Sequence, residues 1–230
     1  MNKNKYLWLI ASYPRSGNTW CRIFISEILR LKNGNHRFFK SMSENLNLNN
    51  DLRTGAIISD RNWLDDQLGI TSSDLSFEEL DQIRSIMQIN KLSNSRNSVF
   101  HKVHDSFYLK SFTKNPIVSH ENFKGVIYLV RNPFDLAVSL KYFFSWDQSK
   151  SIDFLLNKNA ELCGSTKNGG IQCRQFLGTW EEHYLSWSTQ SNIPILVVRY
   201  EDLVRKPLNY FFKISRFLNL TTDKSLVERA

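Results

Sequence analysis

The sequence predicts an α/β fold: a single domain in which a central parallel β-sheet is flanked by helices. Three observations point there. Short, continuous apolar runs at residues 6–11, 125–131 and 194–200 read as strands covered on both faces. Stretches with helical spacing of apolar residues separate them, as parallel βαβ units require. The 230 residues suffice for one sizeable core, and no repeat or interdomain linker divides them.

Each element has its own warrant. The first run ends in a Pro/Ser/Gly turn. Residues 19–32 follow with Trp20, Ile23, Phe24, Ile28 and Leu31 on one side, until Asn33-Gly34-Asn35 stops the helix. Residues 33–97 are rich in Asn and Ser and read as an irregular, mostly helical insertion. Within it, 60–68 suit a short helix, and Ser76 with Glu79 suits a capping box ahead of Leu80, Ile83 and Met87. A second strand is expected at 98–104 and a third at 125–131; Pro133 then opens a helix running to 144. Residues 153–157 suit one helical turn, and 158–170 form a polar, Gly-bearing loop. An aromatic-rich amphipathic helix at 175–189, a fourth strand at 194–200 and a last helix at 208–218 complete the pattern.

The formal net charge of +8 favours an anionic partner without choosing its kind. No helix-turn-helix, zinc-finger or RNA-binding signature accompanies it, so no nucleic acid is expected. Three cysteines without close pairs argue against a disulfide framework or a zinc site, and a reducing, cytoplasmic setting fits. The run at 6–11 is too short for a signal core or a membrane span, so no membrane partner is expected.

The turn Tyr13-Pro14-Arg15-Ser16-Gly17-Asn18-Thr19 has the mechanics of a phosphate cradle. A strand ends, a glycine allows close backbone approach, and a helix N-terminus offers unpaired N–H groups to an anion. Ser16, Asn18 and Thr19 add side-chain donors, and Arg15 adds a planar, permanently charged fork. The turn lacks the first Gly and the Lys of a Walker A loop, which disfavours an ordinary kinase or ATPase. A second strand-to-helix junction follows Arg131, which emerges at the carboxyl end of a parallel strand, where such sheets place ligands. Ser139 lies one helical turn after Asp135. Between the junctions, strand alternation puts Lys102 and His104 on one face and His101 on the other. Histidine suits proton abstraction because its unperturbed pKa lies near neutrality. The two histidines, on opposite faces and with no carboxylate or Cys cluster, do not suggest a metal site.

These segments resemble the sulfotransferases that use 3′-phosphoadenosine 5′-phosphosulfate (PAPS). YPRSGNTW at 13–20 is similar to that family's YPKSGTTW, with Arg15 for Lys and Asn18 for Thr. Residues 126–139, with RNP then D-x-x-x-S, are similar to its 3′-phosphate segment, and Lys102-Val103-His104 to its K-T-H segment, although Asp105-Ser106 stands where the family has Leu-Pro. Residues 178–187 and 197–203 are similar to its G-x-W-x-x-H-x-x-S-W helix and its strand ending in YEDL. The resemblance implies a P-loop NTPase-like nucleotide-binding core and PAPS as donor with PAP as product, without a metal. It implies that Ser16, Gly17, Asn18 and Thr19 hold the 5′-phosphate, Arg131 and Ser139 the 3′-phosphate, and that Trp20 and Tyr200 approach the adenine. His104 would be the base, with Arg15 and Lys102 stabilising developing charge and Ser139 placed to modulate Arg15. Asp135 is expected to cap or brace its helix, His183 to pack or hydrogen-bond, Glu201 and Asp202 to brace the next segment, and Asp105 to be exposed.

The expected activity is sulfuryl transfer to a hydroxyl or amine of a small-molecule acceptor. Two alternatives stand beside it: a non-catalytic or truncated PAPS/PAP-binding protein, and a nucleotide kinase-like phosphotransferase. The family continues past the last helix to an R-K-G loop, whereas this sequence reaches Ala230 without one, so residues 1–230 read as a domain lacking its C-terminal part. Either the chain is a fragment, or the nucleotide site is open, or another subunit completes it; a homo-oligomer is left open.

Overall fold

The computed structural model describes residues 6–32, 34, 56–57, 59–94, 99–108, 123–163, 170 and 172–230. Among them five strands form one sheet: β1 (Leu7–Ser12), β2 (Ala56–Ile57), β3 (Val99–Val103), β4 (Phe123–Val130) and β7 (Ile195–Arg199). Their order is β2-β3-β1-β4-β7, and every neighbouring pair is parallel. Two short strands, β5 (Glu161–Leu162) and β6 (Gln175–Phe176), pair antiparallel beside it. The helices are α1 (Asn18–Lys32), α2 (Arg61–Leu68), α3 (Phe77–Asn94), α4 (Pro133–Phe144), α5 (Gln148–Leu156), α6 (Trp180–Ser188), α7 (Tyr200–Arg205), α8 (Pro207–Phe217) and α9 (Lys224–Arg229), with a 3₁₀ turn at Ser72–Asp74. No helix of the described residues is long and apolar enough to cross a membrane.

The continuous apolar character of β1 is explained by its place in the middle of the sheet, where all six residues are buried. Alternate side chains serve two cores. Trp8 and Ile10 pack with Phe24, Ile25 and Ile28 of α1 and with Phe211 and Ile214 of α8. Leu7, Leu9 and Ala11 face the other way, with Val103, Tyr128 and Trp187 of α6. A third cluster, around Tyr13, Leu136, Leu140, Leu155 and Leu177, fills the space beyond the first loop. The sheet's carboxyl ends therefore open between α1 and α4.

The structure departs from expectation in several places. Only Trp180–Ser188 of the residues expected as a helix from 175 is helical. Gln175 and Phe176 pair with β5, and Gly178, at φ 69°, turns the chain before Thr179 caps the helix. The turn expected at 153–157 is a longer helix, started by Asp147, whose carboxylate accepts from the Lys150 N–H at 2.7 Å. Helices α7 and α9 were not foreseen. In the insertion, Ser76 and Glu79 do form a capping box, with bonds of 2.8 and 3.3 Å. The loop residues 164–169, and the insertion residues 35–55 and 95–98, lie outside the described residues.

Candidate active site

The first loop is a tight cradle. Arg15 and Gly17 both take positive φ, 70° and 95°, which brings the backbone round beneath the start of α1. A Cβ on Gly17 would lie 2.7 Å from Cδ2 of Tyr200, so this turn needs glycine for space as well as conformation. The first N–H groups of α1 have no intrahelical acceptor and point out of the helix start. Ser16 Oγ is buried and has no hydrogen-bond partner among the described residues. Thr19 is exposed at the mouth, its hydroxyl 3.4 Å from Arg22 Nη2. Asn18 differs from expectation: its side-chain amide points into the protein, donating to the Ile10 carbonyl at 2.9 Å and to Ser12 Oγ at 3.2 Å, while its oxygen accepts from Arg22 Nε at 3.0 Å. The amide ties helix to strand, and only the Asn18 backbone N–H is left for a ligand.

The second junction meets the first directly. Arg131 donates from Nη1 to the Arg15 carbonyl at 3.1 Å, and its guanidinium lies 4.5 Å over the Tyr200 ring. Its Nε is buried and has no partner among the described residues. Arg15 reaches back to α4, with Nε 3.4 Å from Ser139 Oγ and its guanidinium 4.4 Å over Phe143. The structure thus brings Arg15, Gly17, Arg131, Ser139 and Tyr200 together. The cap of α4 is Asn132, which accepts from the Phe134 N–H at 2.9 Å, so Asp135 does not cap it. Glu201 braces this turn rather than its own helix, accepting from the Asn132 N–H at 2.8 Å.

His104 follows the last residue of β3. Its Nδ1 lies 2.7 Å from the Ser12 carbonyl and 3.2 Å from Ser12 Oγ. A carbonyl can only accept, so Nδ1 carries the proton and Nε2 keeps the lone pair. Burial, then the Lys102 ammonium, hold the imidazole pKa well below its ordinary value, so the ring is neutral. The His104 carbonyl accepts from His183 Nε2 at 2.9 Å, and His183 Nδ1 in turn accepts from the Tyr128 hydroxyl at 2.8 Å. Burial lowers the His183 pKa to about 4. Lys102, also lowered to about 8, first by burial and then by nearby Arg22, stands on the same side of the sheet as His104. Asp105 is buried, not exposed as expected: Arg84 of α3 pairs with it at 2.8 Å.

Arg15, Gly17, Asn18, Thr19, Lys102, His104, Arg131 and Tyr200 line one cleft of about 780 Å³, and Ser139 lines an adjoining one that shares Arg15 and Arg131. Arg15, Lys102 and Arg131 bring positive charge to its wall, and among the described residues no Asp or Glu lines it. Trp20 stands at the edge, partly exposed and edge-on to Phe211 at 5.1 Å. Beyond His104 the wall continues through Phe143, Phe144, Leu162, Cys163 and Gln172. Phe144 and Leu162 also border a groove with Trp146 and Phe154. Sequence reasoning missed these, and Arg22, because the loop from 158 and the end of the aromatic run at 142–146 carried no motif. The excess of aromatics around 142–146 was the one available signal.

Comparison with known proteins agrees with this architecture. A sulfotransferase domain family matches residues 7–230. Sulfotransferase 1B1 of Mus musculus is 25% identical over 226 residues, which are 96% of this chain and 61% of the relative. Sulfotransferase 4A1 of Homo sapiens is 29% identical over 118 residues, 47% of this chain and 36% of the relative. The chain thus spans less than two thirds of the length of these curated relatives. Among solved structures, retinol dehydratase with retinol and PAP superposes with a TM-score of 0.54 at 17% identity, over 97% of this chain and 62% of that one. Mouse sulfotransferase SULT7A1 with PAP gives 0.53 at 17%, over 100% and 64%. The parallel sheet with its paired strand-to-helix junctions is the fold of those proteins, and the match over residues 7–230 shows that the chain belongs to the sulfotransferase family.

Proposed function

We propose that this chain transfers a sulfuryl group from PAPS to a hydroxyl or amine of a small-molecule acceptor. One observation carries the reading: His104, its Nδ1 held by the Ser12 carbonyl and its Nε2 left with the lone pair, lines the same cleft as the Arg15 loop and Arg131. The residues present fit the nucleotide. Two buried polar atoms, Ser16 Oγ and Arg131 Nε, have no partner among the described residues, and Gly17 lets an anion approach the loop backbone. Solved relatives of the same fold carry PAP. On this reading Ser16, Gly17, Thr19 and the Asn18 N–H hold the 5′-phosphate. Arg131 and Ser139 hold the 3′-phosphate, and Trp20 and Tyr200 flank the adenine. No metal enters the reading.

When bound, the nucleotide supplies the activated sulfuryl group. His104 Nε2 takes the proton of the acceptor group, and the Ser12 carbonyl holds the ring so that the imidazolium formed keeps its Nδ1–H bonded. Arg15 and Lys102 place fixed positive charge where negative charge grows, in a site already oriented for it. Arg15 cannot release a proton, so its part is electrostatic.

The test is calorimetry with PAP and with ATP·Mg, followed by single-turnover transfer from sulfur-labelled PAPS to a panel of alcohols and amines. PAP should bind and ATP·Mg should not; His104→Ala should abolish transfer and leave PAP affinity nearly intact. Full activity in that variant removes the base assignment, and preferential ATP·Mg binding favours a phosphotransferase. PAP binding with no transfer to any acceptor leaves a binding protein.

A further inference from the structure

We propose that the buried ion pair between Arg84 and Asp105 positions His104, so that the insertion helix α3 holds the base against the cleft. The chemistry assigned to His104 rests on the reading above; the way it is held does not. His104 and Asp105 come just after β3 ends, where ladder hydrogen bonds no longer fix the chain. Side chains take over. Arg84, fully buried, donates from Nη2 to Asp105 Oδ2 at 2.8 Å and from Nη1 to Oδ1 at 3.3 Å. The Phe176 N–H donates to Oδ1 at 3.0 Å. The Trp187 indole donates to the Asp105 carbonyl at 3.0 Å, and His183 to the His104 carbonyl at 2.9 Å. Both peptide units that follow the base are therefore pinned, from α3, β6 and α6.

The pinning matters because the ring is located through its backbone. A 2.7 Å bond from Nδ1 to the Ser12 carbonyl tolerates little displacement before the tautomer is no longer fixed. The ion pair also extends outward. Arg84 donates to the Arg174 carbonyl at 2.8 Å and to Asp81 at 3.3 Å, and Arg174 bonds Asp81 at 3.2 Å and Glu161 at 3.4 Å. That chain of charges ends on the β5–β6 pair, whose neighbours Leu162, Cys163 and Gln172 line the cleft. Stability alone is a weak reason for such an arrangement, since apolar replacements of a buried pair are often at least as stable. What the guanidinium fork adds is direction. Asp105 stands where the resembling family segment has Leu.

Asp105→Asn, in the full chain, keeps the shape and an acceptor for the Phe176 N–H but removes the charge that Arg84 grips. Three quantities are read: PAP affinity by calorimetry, the His104 ring nitrogens by ¹⁵N NMR, and sulfuryl transfer. PAP affinity should stay within about twofold, since the variant touches no phosphate contact. The His104 signal should pass from one Nδ1–H tautomer to a mixture. Turnover should fall by roughly tenfold to a hundredfold with KM for PAPS unmoved, as expected for a misplaced catalytic group. Arg84→Lys, which keeps charge and loses the fork, should move the same quantities less. If Asp105→Asn does not fold, the paired change Arg84→Met with Asp105→Leu removes both charges at once and takes the same readouts. A folded variant with an unchanged tautomer and unchanged turnover overturns the proposal, as does failure of both variants to fold, which would make the pair structural. If the parent neither binds PAP nor transfers sulfuryl, but the tautomer still shifts with Asp105→Asn, the positioning stands and the sulfuryl reading falls.

Discussion

Gly17 shows how much a single residue decides. Its φ of 95° would cost an L-residue roughly 1–2 kcal/mol. A Cβ would also meet Tyr200 at 2.7 Å and push the ring from beneath Arg131. Gly17→Ala should therefore lose about 1–2 kcal/mol of stability in urea unfolding. PAP affinity should fall on the order of tenfold or more, because both junctions are disturbed. Equal affinity in parent and variant would mean that the loop does not grip the nucleotide. The placement of Gly17, Arg131 and His104 on one cleft was legible in the sequence, because each residue type has few uses at a strand end. Asn18 and Asp105 were not. Both are short polar side chains whose direction depends on burial by distant elements: Asn18 turned inward to β1, and Asp105 was claimed by a helix some 20 residues earlier in the chain.

At the scale of elements, the strands were the legible part, because only a sheet buried on both faces reads as an unbroken apolar run. Helix limits were less so. The apolar spacing from 175 onward fits a helix, yet two residues are taken by β5 and Gly178 breaks the path, a tertiary pairing that periodicity does not carry. What starts α6 is Thr179, whose hydroxyl accepts from the Glu182 N–H at 3.0 Å while Glu182 returns to the Thr179 N–H at 3.1 Å. Thr179→Ala should cost about 1 kcal/mol in chemical denaturation. Glu182→Ala removes the reciprocal bond and should cost less than the Thr179 change, since the cap hydroxyl remains. A Thr179→Ala protein as stable as the parent would show that packing of His183 and Trp187 alone fixes the start of the helix.

The whole molecule keeps two neutral imidazoles, His104 and His183, between the sheet and α6. Unfolding releases them to water, where each regains a pKa near 6.5. Between that value and the folded value of about 4 for His183, the unfolded chain binds more protons than the folded one. Stability therefore rises with pH across this window and is lost as the pH falls through it. A gap from 6.5 to about 4 corresponds to about 3 kcal/mol for His183 alone, with His104 acting in the same direction. Asp81 opposes the trend, since burial raises its pKa and makes the folded state the better proton acceptor. The comparison that isolates the histidine is His183→Gln, whose amide can still donate to the His104 carbonyl and accept from Tyr128. Unfolding free energies measured from pH 7 to pH 4 should drop steeply in the parent and by about 3 kcal/mol less in the variant. Parallel curves for the two proteins would mean that His183 takes up its proton as readily in the folded chain, and that its Nδ1 does not accept from the Tyr128 hydroxyl.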